Sequence, residues 1–185
     1  MSKWNRPDYH DFESCLRYSE GVELNKNVLT HLFDMIPGAL DLKRAPKQDD
    51  KNGTDYWLLR TSGLPPVSID MKNRDFCPIE RFGSDDACIE IVSQYMNGFC
   101  WKTGWTLDET KRTDLIIYTW PHAGGRRFWV VYFPILCQAA TLNWQTWRDR
   151  FHMKAAHNRD YDTLSIFPPR HVIAQAMRAL TEGVR

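Results

Sequence analysis

Between Val67 and Lys72 the chain reads Val-Ser-Ile-Asp-Met-Lys, so Val67, Ile69 and Met71 alternate strictly with Ser68, Asp70 and Lys72. A helix would scatter those three apolar residues around its circumference, whereas a strand lines them along one face. The segment is therefore a strand with one face in a core. Its other face carries a carboxylate and an ammonium two residues apart, pointing the same way. No other stretch constrains the fold as tightly.

The neighbouring segments extend the pattern. Asp55 to Arg60 reads as a strand, and Ser62-Gly-Leu-Pro-Pro66 as the turn that joins it to Val67–Lys72. Ala87–Val92 is predicted as a third strand, with Cys88, Glu90 and Val92 on one side. Asp114–Trp120 and Arg127–Phe133 are expected to form a hairpin through Pro121-His-Ala-Gly-Gly-Arg126. Apolar residues at Leu24, Val28, Leu32 and Ile36 predict an amphipathic helix over Val22–Ile36, ended by Pro37-Gly38. A second helix is predicted from Pro134 to about Phe151, carrying Leu136, Ala140, Trp144 and Trp147. A short strand at Leu164–Phe167 leads through Pro168-Pro169 into a last helix over Val172, Ala176 and Leu180. Asp41–Thr54 is expected to be a charged, mobile loop, and most of Gln94–Arg112 a loop as well. These elements predict an α/β (α+β) fold: a central mixed sheet of about five strands flanked by helices. Residues 1–20 are read as an N-terminal arm and 21–185 as a single domain.

Composition narrows the function classes. With 185 residues, 43% hydrophobic and 25% charged, the chain has ordinary globular material for one domain. No apolar run approaches the roughly 20 residues of a membrane span, and the first ten residues lack a signal-peptide core, so no membrane partner and a cytoplasmic address are expected. The five cysteines include no Cys-x-x-Cys pair and are read as reduced thiols packed as small hydrophobes. Charge is uneven: residues 1–100 hold 12 Lys/Arg and 16 Asp/Glu, residues 101–185 hold 12 and 7. The basic second half, with Lys102, Lys111, Arg112, Arg126 and Arg127, is suited to a polyanion, while the near-neutral total argues against indiscriminate coating of nucleic acid.

Four acid-x-Lys triplets occur: Asp41-Leu-Lys43, Asp49-Asp-Lys51, Asp70-Met-Lys72 and Glu109-Thr-Lys111. Only the third sits in an alternating strand, after one opened by Asp55 and before one bearing Glu90. Converging carboxylates hold Mg²⁺, a hard cation that takes oxygen ligands, and a neighbouring ammonium orients a water or offsets negative charge on phosphate. That combination is the minimum for hydrolysing a phosphodiester.

The run from Asp55 to about Tyr118 resembles the core of the PD-(D/E)xK nuclease superfamily, in particular its small phage- and prophage-type members. The matching pieces are Gly53-Thr-Asp55, Ser68-Ile-Asp-Met-Lys72 and Cys88-Ile-Glu-Ile-Val92, followed by Lys102–Asp108 and Thr113–Tyr118. The resemblance implies a restriction-endonuclease-like core and Mg²⁺-dependent DNA cleavage, with Mn²⁺ as an alternative ion. It makes Asp55 and Asp70 metal ligands, Lys72 the water-positioning cation and Glu90 an auxiliary ligand, in a bacterial or phage-infected cell. Pairing of two copies is a natural expectation, since one metal site cuts one strand at a time. The competing reading is a non-catalytic phage or prophage protein that kept the nuclease fold to bind nucleic acid or another protein.

Overall fold

The alternation of Val67–Lys72 becomes a central strand of a five-stranded sheet in the computed structural model, which describes residues 26–50, 52–158 and 160–183. The expected arm over 1–20 and the first turn of the expected Val22–Ile36 helix lie outside the described residues. The described chain divides into two compact units, one built from 26–77 and 110–134, the other from 78–109 and 135–183.

The first unit contains helix α1 (Lys26–Met35), β1 (Ala39–Arg44), the one-turn helix α2 (Lys47–Asp50), β2 (Tyr56–Arg60), β3 (Val67–Asn73), β6 (Leu115–His122) and β7 (Gly125–Tyr132). The sheet order is β1-β2-β3-β6-β7, antiparallel throughout except for the parallel pair β3–β6. It is therefore the expected mixed sheet of five strands. Val28, Leu32 and Ile36 of α1 and its end pack against Leu58, Ile69, Met71, Leu115 and Ile117. The apolar face of β3 thus meets a helix, and Ser68, Asp70 and Lys72 are turned to the opposite face. The β6–β7 hairpin forms where predicted, with Leu115 opposite Tyr132 and His122 opposite Gly125. Gly38 ends the α1 turn at φ +74°, and a Cβ there would come within 2.6 Å of the Thr61 hydroxyl. The segment expected as a mobile loop, Asp41–Thr54, is instead largely ordered: β1 and α2 occupy it. β1 is an edge strand whose charged residues face solvent, which is why its sequence reads as loop.

The second unit contains α3 (Pro78–Phe82), β4 (Ile89–Met96), β5 (Phe99–Thr103), most of α4 (Phe133–Arg150), β8 (Met153–His157), β9 (Asp162–Ile166) and α5 (Arg170–Glu182). Its antiparallel sheet runs β5-β4-β9-β8. Two expectations are corrected here. Cys88–Val92 contributes to this sheet rather than to the one holding β2 and β3. The stretch after Gln94 is a hairpin rather than loop, turning at Asn97-Gly98 with φ of +49° and +84°, the left-handed pair a two-residue type I′ turn requires. Pro169 caps α5, as the paired prolines suggest. Among the described residues no helix is long and apolar enough to cross a membrane. The four described cysteines are free thiols.

Gly104 holds the β4–β5 hairpin at its open end. Its amide donates to the Ile91 carbonyl at 3.0 Å, and a Cβ there would sit 2.2 Å from the Glu90 carbonyl oxygen. That contact is with backbone, which cannot swing aside as a side chain can. Gly104→Ala is expected to cost about 3 kcal/mol, read as a lowered urea midpoint; an unchanged midpoint would contradict this packing.

Candidate functional site

Two strands and one tight loop bring Asp55, Asp70 and Lys72 together. The β2–β3 pairing sets Tyr56 opposite Ile69, and the Asp55 amide continues the ladder by donating to the Ile69 carbonyl at 2.8 Å. Asp55 therefore lies opposite Asp70 on the face away from α1. The loop before it is anchored from the far side of the sheet. The Thr113 hydroxyl donates to the Gly53 carbonyl, and Gly53 adopts φ +90° with room for no Cβ, since one would come 2.9 Å from Thr113 Oγ1. The start of the parallel pair is stitched as tightly. Asp114 Oδ2 accepts from both the Ser68 amide and its hydroxyl at 2.8 Å.

Within this frame Asp55 Oδ2 accepts from the Met71 amide at 2.6 Å, and Lys72 Nζ lies 2.7 Å from Asp70 Oδ2. Asp70 is 7% exposed, whereas a third of the Lys72 side chain is open to solvent. The two carboxyl groups belong to residues opposite one another across the β2–β3 ladder, and Asp55 titrates above its ordinary value. Burial is the main cause and the Asp70 charge the second; the Met71 N–H and the Lys72 ammonium offset them in part. Two neighbouring carboxylates repel one another unless a proton or a cation offsets their charge. The single ammonium leaves the trio one negative charge in excess.

A pH dependence follows. A carboxyl whose folded pKa is raised keeps its proton longer in the native state, so stability is highest below the unfolded value of about 3.8 and declines as pH rises through the folded pKa. Asp55→Asn is therefore expected to raise the melting temperature at pH 7 in EDTA, by a few degrees, and to leave it unchanged at pH 3. A lower melting temperature at pH 7 would mean that the Asp55 charge is stabilising.

The remaining predicted site residues fall as follows. Glu90 lies on β4, in the other unit, and its carboxylate is already engaged, by the Ser93 hydroxyl and by the Trp105 amide at 3.3 Å. The bond from Trp105 ties the chain after β5 back to β4. The Lys111 side chain lies against Gly53, its Cδ 3.2 Å and its Nζ 3.5 Å from where a Cβ would be, two residues from Asp55. Arg112 and Arg127 are exposed; the β6–β7 register sets Arg127 opposite Trp120, on the Asp70 face of the sheet. Arg126 points to the other face, where its guanidinium donates to Thr119 Oγ1 at 2.6 Å and to the Arg74 carbonyl at 3.2 Å. Lys102 is exposed on β5. Sequence reasoning missed Tyr118, which the β3–β6 register places opposite Lys72 and which stacks on Trp129 at 5.7 Å. Only strand adjacency could have found it. A cavity of about 550 Å³ is lined entirely by residues of the 78–109 and 135–183 unit, so Asp55, Asp70 and Lys72 are not part of it.

No protein-family model, no curated protein and no solved structure matches this chain.

Proposed function

We propose that the chain is a Mg²⁺-dependent deoxyribonuclease whose reaction centre is the Asp55–Asp70–Lys72 cluster. One observation carries the reading: two acids stand opposite one another across the β2–β3 ladder, with the Lys72 ammonium 2.7 Å from one of them. The alternating pattern of β3 would have been satisfied by any polar residue at 70, and a fold gains little from crowding acids together. The donor set fits a hard divalent ion, which commonly takes one or two carboxylates and fills its remaining positions with water and phosphate oxygens.

Asp55 and Asp70 would hold the ion. When bound, Mg²⁺ supplies Lewis-acid stabilisation of negative charge on the scissile phosphate. The rest falls to the chain's own groups. Lys72, released from Asp70 once that carboxylate has another cation, donates to the attacking water and sets its line of approach. The Met71 amide keeps Asp55 from rotating away. Lys111, beside the loop that delivers Asp55, and Arg127, on the same sheet face, are placed to neutralise flanking phosphates. The order of elements supports the likeness to the PD-(D/E)xK nucleases. Helix α1 comes first and, after the intervening β1 and α2, the strand Asp55 opens leads to the strand bearing Asp70-Met-Lys72, beside which lies β6 in place of the expected Cys88–Val92.

Purified protein with supercoiled plasmid should produce nicked circles in Mg²⁺ and none in EDTA. Stable binding of the plasmid with no nicking in either Mg²⁺ or Mn²⁺ would overturn the proposal in favour of a non-catalytic binding protein.

A further inference from the structure

Asn73 and Thr119 are the last register pair of the parallel strands β3 and β6, and both strands end at the same edge of the sheet. That edge is pinned. The Arg74 amide donates to the Thr119 carbonyl at 2.9 Å, and the Thr119 hydroxyl donates to Asn73 Oδ1 at 2.7 Å. Just beyond, each strand delivers a side chain able to bind a metal: Cys77, 3% exposed, and His122, the last residue of β6. His122 stands opposite Gly125 across a two-residue turn. Ala123 and Gly124 in that turn hold φ of +45° and +77°, the left-handed pair of type I′. His122 Nδ1 lies 3.6 Å from Cys77 Sγ, and the two residues belong to the same unit. Glu80 is joined to Cys77 through the first turn of α3, and that turn brings its carboxylate within 4.8 Å of the thiol.

The donor set discriminates between ions. Mg²⁺ and Ca²⁺ take oxygen ligands and gain nothing from sulfur or imidazole. Zn²⁺ takes thiolate, imidazole and carboxylate alike. The spacing agrees with that ion. Bonds of about 2.3 Å to sulfur and about 2.0–2.1 Å to nitrogen, at a tetrahedral angle, set the two ligand atoms about 3.6 Å apart, which is the distance Cys77 and His122 hold. Two residues separate Cys77 from Glu80, the short interval at which zinc ligand pairs commonly occur. With no ion present the same distance is that of a weak thiol–imidazole hydrogen bond. Binding Zn²⁺ therefore releases the thiol proton to solvent, leaves the sulfur as thiolate, and asks for little movement of the pair. Three protein ligands leave the fourth tetrahedral position to water, and Glu80, which is exposed, gives the ion its way in.

We propose that Cys77, His122 and Glu80 bind one Zn²⁺ ion, which ties the chain after β3 to the β6–β7 hairpin. The site shares no residue with the Asp55–Asp70–Lys72 cluster, so the test is made on the full chain carrying Asp70→Asn, where that cluster no longer holds a divalent ion. Co²⁺, a spectroscopic stand-in for Zn²⁺, is expected to develop a thiolate-to-metal charge-transfer absorption that saturates at one ion per chain. An equimolar amount of Zn²⁺, the tighter binder of the two, should remove it, whereas Mg²⁺ and Mn²⁺, which favour oxygen ligands, should not. Cys77→Ser should abolish the absorption, and His122→Ala or Glu80→Gln should each weaken Co²⁺ binding at least about tenfold. Glu80 is exposed, so Glu80→Gln decides alone if Cys77→Ser does not fold. No charge-transfer absorption, an absorption that survives Cys77→Ser, or Co²⁺ binding unchanged by Glu80→Gln would each overturn the proposal.

Discussion

Asp70→Asn is expected to lower plasmid nicking by roughly 10³-fold or more, about 4 kcal/mol in the barrier, while leaving the protein folded. The substitution keeps the size and one acceptor oxygen of the side chain but removes the charge that binds the ion and pairs with Lys72. Stability should move the other way from activity. With the Asp70 charge gone, one of the causes that raise Asp55 disappears, so the variant is expected to melt at or slightly above the parent temperature at pH 7 in EDTA. The lost ion pair subtracts little, because the Lys72 side chain is one-third exposed. An inactive variant that is as stable as its parent marks a reaction centre. An inactive variant that melts far below it would mark Asp70 as a structural residue instead.

Lys72→Met is expected to lower nicking by roughly 10²- to 10³-fold, the cost of losing one positioned donor at the reacting centre. Its signature differs from that of Asp70→Asn. Lys72 competes with the metal for Asp70, so the ion should bind the variant at least as tightly as the parent. Lys72 also holds the Asp55 pKa down, so its removal raises that pKa further. The acid limb of the residual nicking activity should therefore shift to higher pH, because Asp55 must lose its proton to hold the ion. Residual activity with an unshifted acid limb would separate Lys72 from Asp55 and break the cluster apart.

Much of this arrangement was legible in the chain because it rests on local periodicity. The alternation through Ile69 and Met71 identifies the buried face of β3, and hence the face of Asp70 and Lys72. Asp55 sits just before an apolar strand with a short turn beyond it, so antiparallel pairing carries it opposite Asp70. What depended on strand adjacency was not legible. The β4 segment has a sound strand pattern, but nothing local says which sheet it joins; pairing with β5 and β9 puts Glu90 in the four-stranded sheet. Its carboxylate finds donors in Ser93 and Trp105, which meets the need of a half-buried acid without a metal. β1 was hidden by its Asp, Lys and Arg, residues an edge strand tolerates because one side faces water. The β5 hairpin does carry a signal, Asn97-Gly98 between two apolar runs, but Gly98 and Gly104 at either end of β5 also fit a loop. Trp101 shows the limit of composition. Tryptophan is abundant here, and the residue type alone does not say which copies are buried: Trp120 is in the core, but Trp101 is 68% exposed beside an equally open Phe99.

If Asp55 and Asp70 share one divalent cation, calorimetric titration with Mn²⁺ at pH 7 will reveal it. One saturable site per chain is expected, displaced by Mg²⁺ and absent from Asp70→Asn protein of unchanged circular dichroism. A parent that takes up no ion, or a variant whose isotherm superimposes on that of the parent, would contradict it.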